Sequence, residues 1–94
     1  MRRKGRTDGN QTEIVNAFRK AGASVAITSS LGDGFPDIVV GHRGRNYLVE
    51  IKDGSKPPSS RKLTKDEQEF FDLWKGQIDV VESTIDALKL IGVV

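Results

Sequence analysis

The sequence predicts a mixed α/β domain, with helices packed on a small sheet in the order helix, three strands, helix, strand, helix. Three observations lead there. Apolar residues recur at helical spacing in residues 8–22 and again in residues 63–76. Two β-branched runs meet at a tight Arg43-Gly44 turn. A Pro/Gly/Ser-rich stretch, "DGSKPPSSRK", separates that hairpin from the second helix.

Each element follows from local chemistry. In "DGNQTEIVNAFRKAG", Asp8 is the expected cap, Gln11 completes a capping-box pattern, Ile14, Val15 and Phe18 form the apolar stripe, and Gly22 supplies the stop. "SVAITSS" is a short β-branched strand. The hairpin lies in "GFPDIVVGHRGRNYLVEIKDG", with Pro36 at a strand start because it can donate no ladder hydrogen bond. In the loop that follows, two prolines remove backbone donors and push the preceding residues away from helix. "LTKDEQEFFDLWKG" is the second helix, starting at Leu63 or Thr64 and stopped by Gly76. Its aromatics Phe70, Phe71 and Trp74 are expected in the core or in a subunit interface. "IDVVES" is a strand, and "TIDALKLIG" a last short helix with Thr84 as cap and Gly92 as stop.

The hairpin carries three charges that its apolar character does not explain. With the turn at Arg43-Gly44, antiparallel pairing sets His42 opposite Arg45 and Gly41 opposite Asn46, and continues to set Asp37 opposite Glu50. Side chains alternate faces, so Glu50 and Lys52 share Asp37's face while Tyr47, Val49 and Ile51 point to the other. Like charges directly opposite are unfavourable and raise one carboxyl's pKa unless a cation lies between them. A plain solvated face, with Lys52 paired across the strands, is the alternative, and a bulge at Gly41 would shift the register by one. Against the solvated face stand Ile38, Val39, Val40, Leu48, Val49 and Ile51, apolar on both sides as in a strand pair covered by helices.

Composition narrows the function classes. The 94 residues amount to one domain, and a core of that size buries roughly two-thirds of the unfolded chain's surface, so a partner subunit would help. There is no cysteine, so disulfides and thiolate metal sites are excluded, and a metal would rest on oxygen ligands or on the single His42. His42 falls in the hairpin turn, at the far end from Asp37, where a ligand role has no second histidine to support it. No apolar run approaches the ~20 residues of a membrane span, and "MRRKGRTDGNQ" lacks a signal-peptide stretch, so a cytoplasmic location is expected. Net charge is only +2, but Arg2, Arg3, Lys4 and Arg6, then Arg43 and Arg45, then Arg61, Lys62 and Lys65 form three basic clusters suited to nucleic acid. No sequence-reading motif is present, so phosphate contacts should dominate and binding should be salt-sensitive.

Pro36-Asp37 followed by Glu50-Ile51-Lys52 resembles the PD-(D/E)XK nuclease signature. In context, "GFPDIVV", "GRNYLVEIKDGSKPPSSRKLTKDEQEFFDLWKG" and "IDVVES" resemble the VRR-NUC branch of that superfamily, in its compact stand-alone phage and prophage form. The resemblance spans nearly the whole chain. It implies a restriction-endonuclease-like core, one nuclease domain over residues 1–94, and a basic arm at residues 1–7. It implies Mg²⁺ or Mn²⁺ held by Asp37, Glu50 and the Ile51 main-chain carbonyl, with Lys52 orienting the attacking water and steadying phosphate charge, and products with 5′-phosphate and 3′-hydroxyl ends. It adds Gln68, matching a second-helix glutamine that faces the site, and Glu13, either a first-helix ligand or an ordinary surface residue. Similarity to Holliday-junction resolvases implies a homodimer cutting branched DNA such as four-way junctions. Flaps, nicked duplex or RNA as substrates, or a weakly catalytic nucleic-acid-binding module, are the alternatives.

Overall fold

The computed structural model describes residues 9–94. Within them, α1 (Gln11–Lys20) leads into β1 (Ser24–Ile27), β2 (Ile38–His42) and β3 (Arg45–Ile51), followed by α2 (Lys65–Leu73), β4 (Asp79–Val81) and α3 (Thr84–Leu90). The sheet runs β1-β2-β3-β4. Its first three strands form an antiparallel meander, and α2 carries the crossover that lets β4 join β3 in parallel. This is the predicted mixed α/β architecture, in the predicted order.

The hairpin register is the expected one. Arg43 and Gly44 both take positive φ, 52° and 79°, as a two-residue turn matched to strand twist requires. Pairing then runs without a bulge from His42–Arg45 through Gly41–Asn46 to Ile38–Val49. The next residues in line are Asp37 and Glu50.

The core lies on one face of the sheet. Ile38, Val40, Val49, Ile51 and Val81 pack there against Ile14, Val15 and Phe18 of α1 and Ala87 of α3, all buried. The opposite face is less covered than the apolar pattern predicts. Val39 and Leu48 are half-buried, and α2 buries none of its residues. Phe70 and Phe71 are therefore only half-buried and Trp74 is 41% exposed, so of the two places expected for these aromatics, core or subunit interface, the core is not where they lie. Phe70 meets Phe35 edge-on with centroids 5.4 Å apart and stacks on Trp74 at 5.1 Å, forming a surface cluster instead.

Several helix ends differ from expectation by a residue or two. Asp8, the expected first cap, lies outside the described residues, and Asn10 occupies the N-cap position without a side-chain capping bond. Its Nδ2 instead donates to the Lys52 and Glu82 carbonyls at 3.1 and 3.2 Å, tying α1 to the ends of β3 and β4. Gln11 forms no capping box; it is buried and donates to Ser29 Oγ. Ser83 rather than Thr84 caps α3, and α2 ends before Gly76, with Trp74 extended at its C-cap. Gly22 and Gly92 do follow their helices in left-handed conformation, as predicted. No helix among the described residues is long and apolar enough to cross a membrane.

The two groups of aromatics should separate by mutation. Phe18→Ala, at a fully buried site, is expected to cost about 3–5 kcal/mol in urea unfolding. Trp74→Ala is expected to cost less than about 2 kcal/mol, because its ring already meets solvent.

Candidate active site

The site begins where the β2–β3 ladder stops. Pro36 cannot donate a ladder hydrogen bond, and its carbonyl accepts from the Thr28 hydroxyl at 2.8 Å, while the Asp37 carbonyl accepts from the Thr28 N–H at 2.8 Å. One step past the last strand pair, the Asp37 carboxylate itself takes the Ile51 N–H, with Oδ2 at 2.8 Å. In an extended strand a residue's N–H and C=O share one edge, so the Ile51 carbonyl lies on the edge that faces Asp37.

Glu50, opposite Asp37, is 2% exposed, and Lys52 two residues on is 8% exposed on the same face. The Lys52 ammonium lies 3.5 Å from Glu50 Oε2 and donates to Glu67 Oε1 at 2.7 Å. Glu67 was not expected here. It is the third residue of α2, and its side chain curls back to accept the Thr64 N–H at 2.8 Å while Thr64 Oγ1 accepts the Glu67 N–H, a complete capping box. The sequence signal for it was the Thr64-x-x-Glu67 spacing, which marks a helix start.

Gln68 is placed differently from expectation. It is exposed and donates to Asp72 Oδ1 on its own helix at 2.9 Å, because one residue's step turns it about 100° away from Glu67. Glu13 is exposed and lines a separate groove with Asp53, Glu82 and Asp86, away from Asp37 and Glu50. The first-helix residues that do reach toward the site are Asn10, through the Lys52 carbonyl, and Gln11, through Ser29.

A cleft of about 490 Å³ opens over Asp37, Glu50 and Lys52, between the Gly32–Phe35 turn and the start of α2. Its walls carry five carboxylates, from Asp33, Asp37, Glu50, Asp66 and Glu67, against the amines of Lys52 and Lys62. Burial pushes the Glu50 carboxyl up to about 10, helped by the neighbouring Asp37 charge and by hydrogen bonding with Glu67 and Asp37. Asp37 is also raised by burial, against the opposing pull of the Ile51 N–H. Burial works to raise Glu67 too, but the hydrogen bonds from Lys52 and the Thr64 N–H outweigh it and leave that carboxyl below its usual range. Charge on Glu50 is thus disfavoured, and the shorter contact of Lys52 is with Glu67, at 2.7 Å against 3.5 Å to Glu50. Among the described residues no three His, Cys, Asp or Glu side chains are arranged to hold a metal ion, so a cation here would rest on two carboxylates and main-chain oxygen. Two facing carboxyls, both raised by burial, fit that demand, since a cation would offset the cost of their charge.

The basic residues are distributed unevenly. Lys62 lines the cleft, and Lys65 is exposed at the first position of α2. Arg61 is engaged elsewhere, donating to the Lys56 carbonyl at 2.7 Å and pairing with Glu82 at 3.4 Å. Arg43 and Arg45 are exposed at the hairpin turn, roughly 17 Å along the strands from the site. Arg2, Arg3, Lys4 and Arg6 lie outside the described residues.

Two outcomes are expected from this geometry. Gly34 has φ +80°, and a Cβ there would fall 2.2 Å from the Asp66 carbonyl oxygen, so Gly34→Ala is expected to lower stability by about 1–3 kcal/mol in chemical denaturation. The second concerns pH. With Glu50 at about 10 in the folded chain against an ordinary 4.5, the folded state keeps a proton that the unfolded chain releases. Stability from this group is full below about pH 4.5 and declines as pH rises toward 10. In chelator-containing buffer Tm should fall from about pH 5 to pH 9, and Glu50→Gln should flatten that slope.

Neither a family model nor a curated protein matches this chain. A solved structure described as a VRR_NUC domain does match, with a TM-score of 0.57 and 32% sequence identity, covering 86% of this chain and 88% of its own. At that identity over nearly the full length of both chains, and with helices flanking a four-stranded mixed sheet, the chain belongs to the VRR-NUC family of nuclease domains.

Proposed function

We propose that this nuclease domain hydrolyses phosphodiester bonds in DNA with the help of Mg²⁺ or Mn²⁺, held by Asp37, Glu50 and the Ile51 main-chain carbonyl. The observation that carries this reading is the burial of Asp37 and Glu50 face to face beside Lys52, an arrangement that a polyanion-binding surface has no reason to keep. A divalent ion bound there would neutralise the pair and polarise the phosphoryl group. Lys52 contributes the fixed positive charge. Its ammonium, anchored among carboxylates and largely shielded from water, orients the attacking water and stabilises negative charge as it builds on the phosphoryl oxygens. Lys62 and Lys65, at the cleft and at the start of α2, are placed to meet flanking phosphates.

The substrate in this reading is branched DNA, such as a four-way junction, engaged through phosphates rather than base edges. Two copies of the chain acting as a homodimer would bring two such sites to two strands. A labelled four-way junction, a flap, a linear duplex and a single-stranded RNA, each incubated with Mg²⁺, Mn²⁺ or EDTA, test it. Cleavage of the junction with either metal and none with EDTA is expected, falling about 10²-fold or more in Asp37→Ala and Lys52→Ala. Binding without cutting under every metal would sink the enzyme reading, and mutants that cut like wild type would sink the site. Faster cleavage of flap, duplex or RNA would correct the substrate.

A further inference from the structure

Lys52 does not reach its position through its own strand alone. Its ammonium is held at 2.7 Å by Glu67 Oε1, and the same oxygen accepts the Thr64 N–H at 2.8 Å. That oxygen thus joins the site lysine to the first turn of α2, an element that follows β3 only after the long proline-containing loop. The joint is only partly shielded, with the Glu67 side chain 19% exposed and that of Lys52 10%. It is braced from the far side, because Gly34 lies so close to the Asp66 carbonyl and the Glu67 N–H that no side chain fits between them. The turn that delivers Asp37 and the helix start that delivers Glu67 therefore rest on one another.

We propose that Glu67 is the positioning residue of this site, holding the Lys52 ammonium over the cleft through the charged half of its capping box. A helix-start glutamate with only a capping role would need no cation on its carboxylate. Here the shared oxygen makes the helix cap and the lysine anchor one contact. The inference rests on the role proposed above for Lys52, and it extends that role to a residue outside the Asp37, Glu50 and Lys52 motif.

Two variants separate anchoring from capping. Glu67→Gln keeps an acceptor for the Thr64 N–H, since Gln also serves in capping boxes, but removes the charge that holds Lys52. Thr64→Ala removes the other half of the box and leaves the carboxylate. In chelator-treated protein, the ¹⁵Nζ–¹H signal of Lys52, slowed in exchange by its hydrogen bond, should disappear in Glu67→Gln and persist in Thr64→Ala. Thr64→Ala should instead lower Tm by a few degrees. With metal and junction DNA, Glu67→Gln should reduce kcat about 10²-fold, with KM within about twofold of wild type. Glu67→Asp, which keeps the charge but shortens the reach by one methylene, should fall between. A Glu67→Gln protein that keeps both the Lys52 signal and wild-type kcat overturns the proposal, as does a Thr64→Ala protein that loses both. If the wild type cuts no nucleic acid, the nuclease reading fails, while the Lys52 signal still decides whether Glu67 anchors the lysine.

Discussion

The site depends on a like-charged pair kept out of water. Asp37 and Glu50 meet where the β2–β3 ladder ends, and burial there makes two ionised carboxyls costly. That cost is offset by the Ile51 N–H donated to Asp37 and by the Lys52 ammonium 3.5 Å from Glu50. Glu67, held low by Lys52 and the Thr64 N–H, keeps the lysine ammonium close, at 2.7 Å.

The rest of the fold follows from placing that pair at a sheet end. One face of the sheet carries the core, where Phe18, Ile14 and the inward residues of β2 and β3 exclude water. The other face carries Glu50 and Lys52, flanked by the Gly32–Phe35 turn and the start of α2. A single-layer core in so small a chain leaves little surplus stability, and this makes close contacts such as Gly34 against Asp66 important.

Charge is divided between the two ends of the molecule's logic. The cleft is acidic, with five carboxylates against two amines. The basic clusters of the sequence lie in different places, and Arg61 and Lys62 of one cluster diverge. Lys62 reaches the cleft, Arg61 is taken by Glu82 and the Lys56 carbonyl, and Arg43 and Arg45 stand at the distant turn.

Local periodicity made much of this legible. The element order, the Arg43-Gly44 turn and the alternation along the hairpin depend on neighbours in the chain, and they led directly to Asp37 opposite Glu50 with Lys52 beside them. The sequence by itself determined that constellation up to a bulge at Gly41, because a two-residue turn sets the register of a strand wherever pairing is unbroken, as it is here. Tertiary structure decided what helices bring to it. Whether Glu67 or Gln68 faces the site turns on 100° of helix rotation, fixed by where Thr64 starts α2 and how that turn lies on Gly34. The placement of Glu13 in another groove, of Gln11 against Ser29, and of Phe70 and Trp74 on the surface likewise depends on how helices dock on the sheet. Docking is set by contacts between residues far apart in sequence, and no local pattern records them.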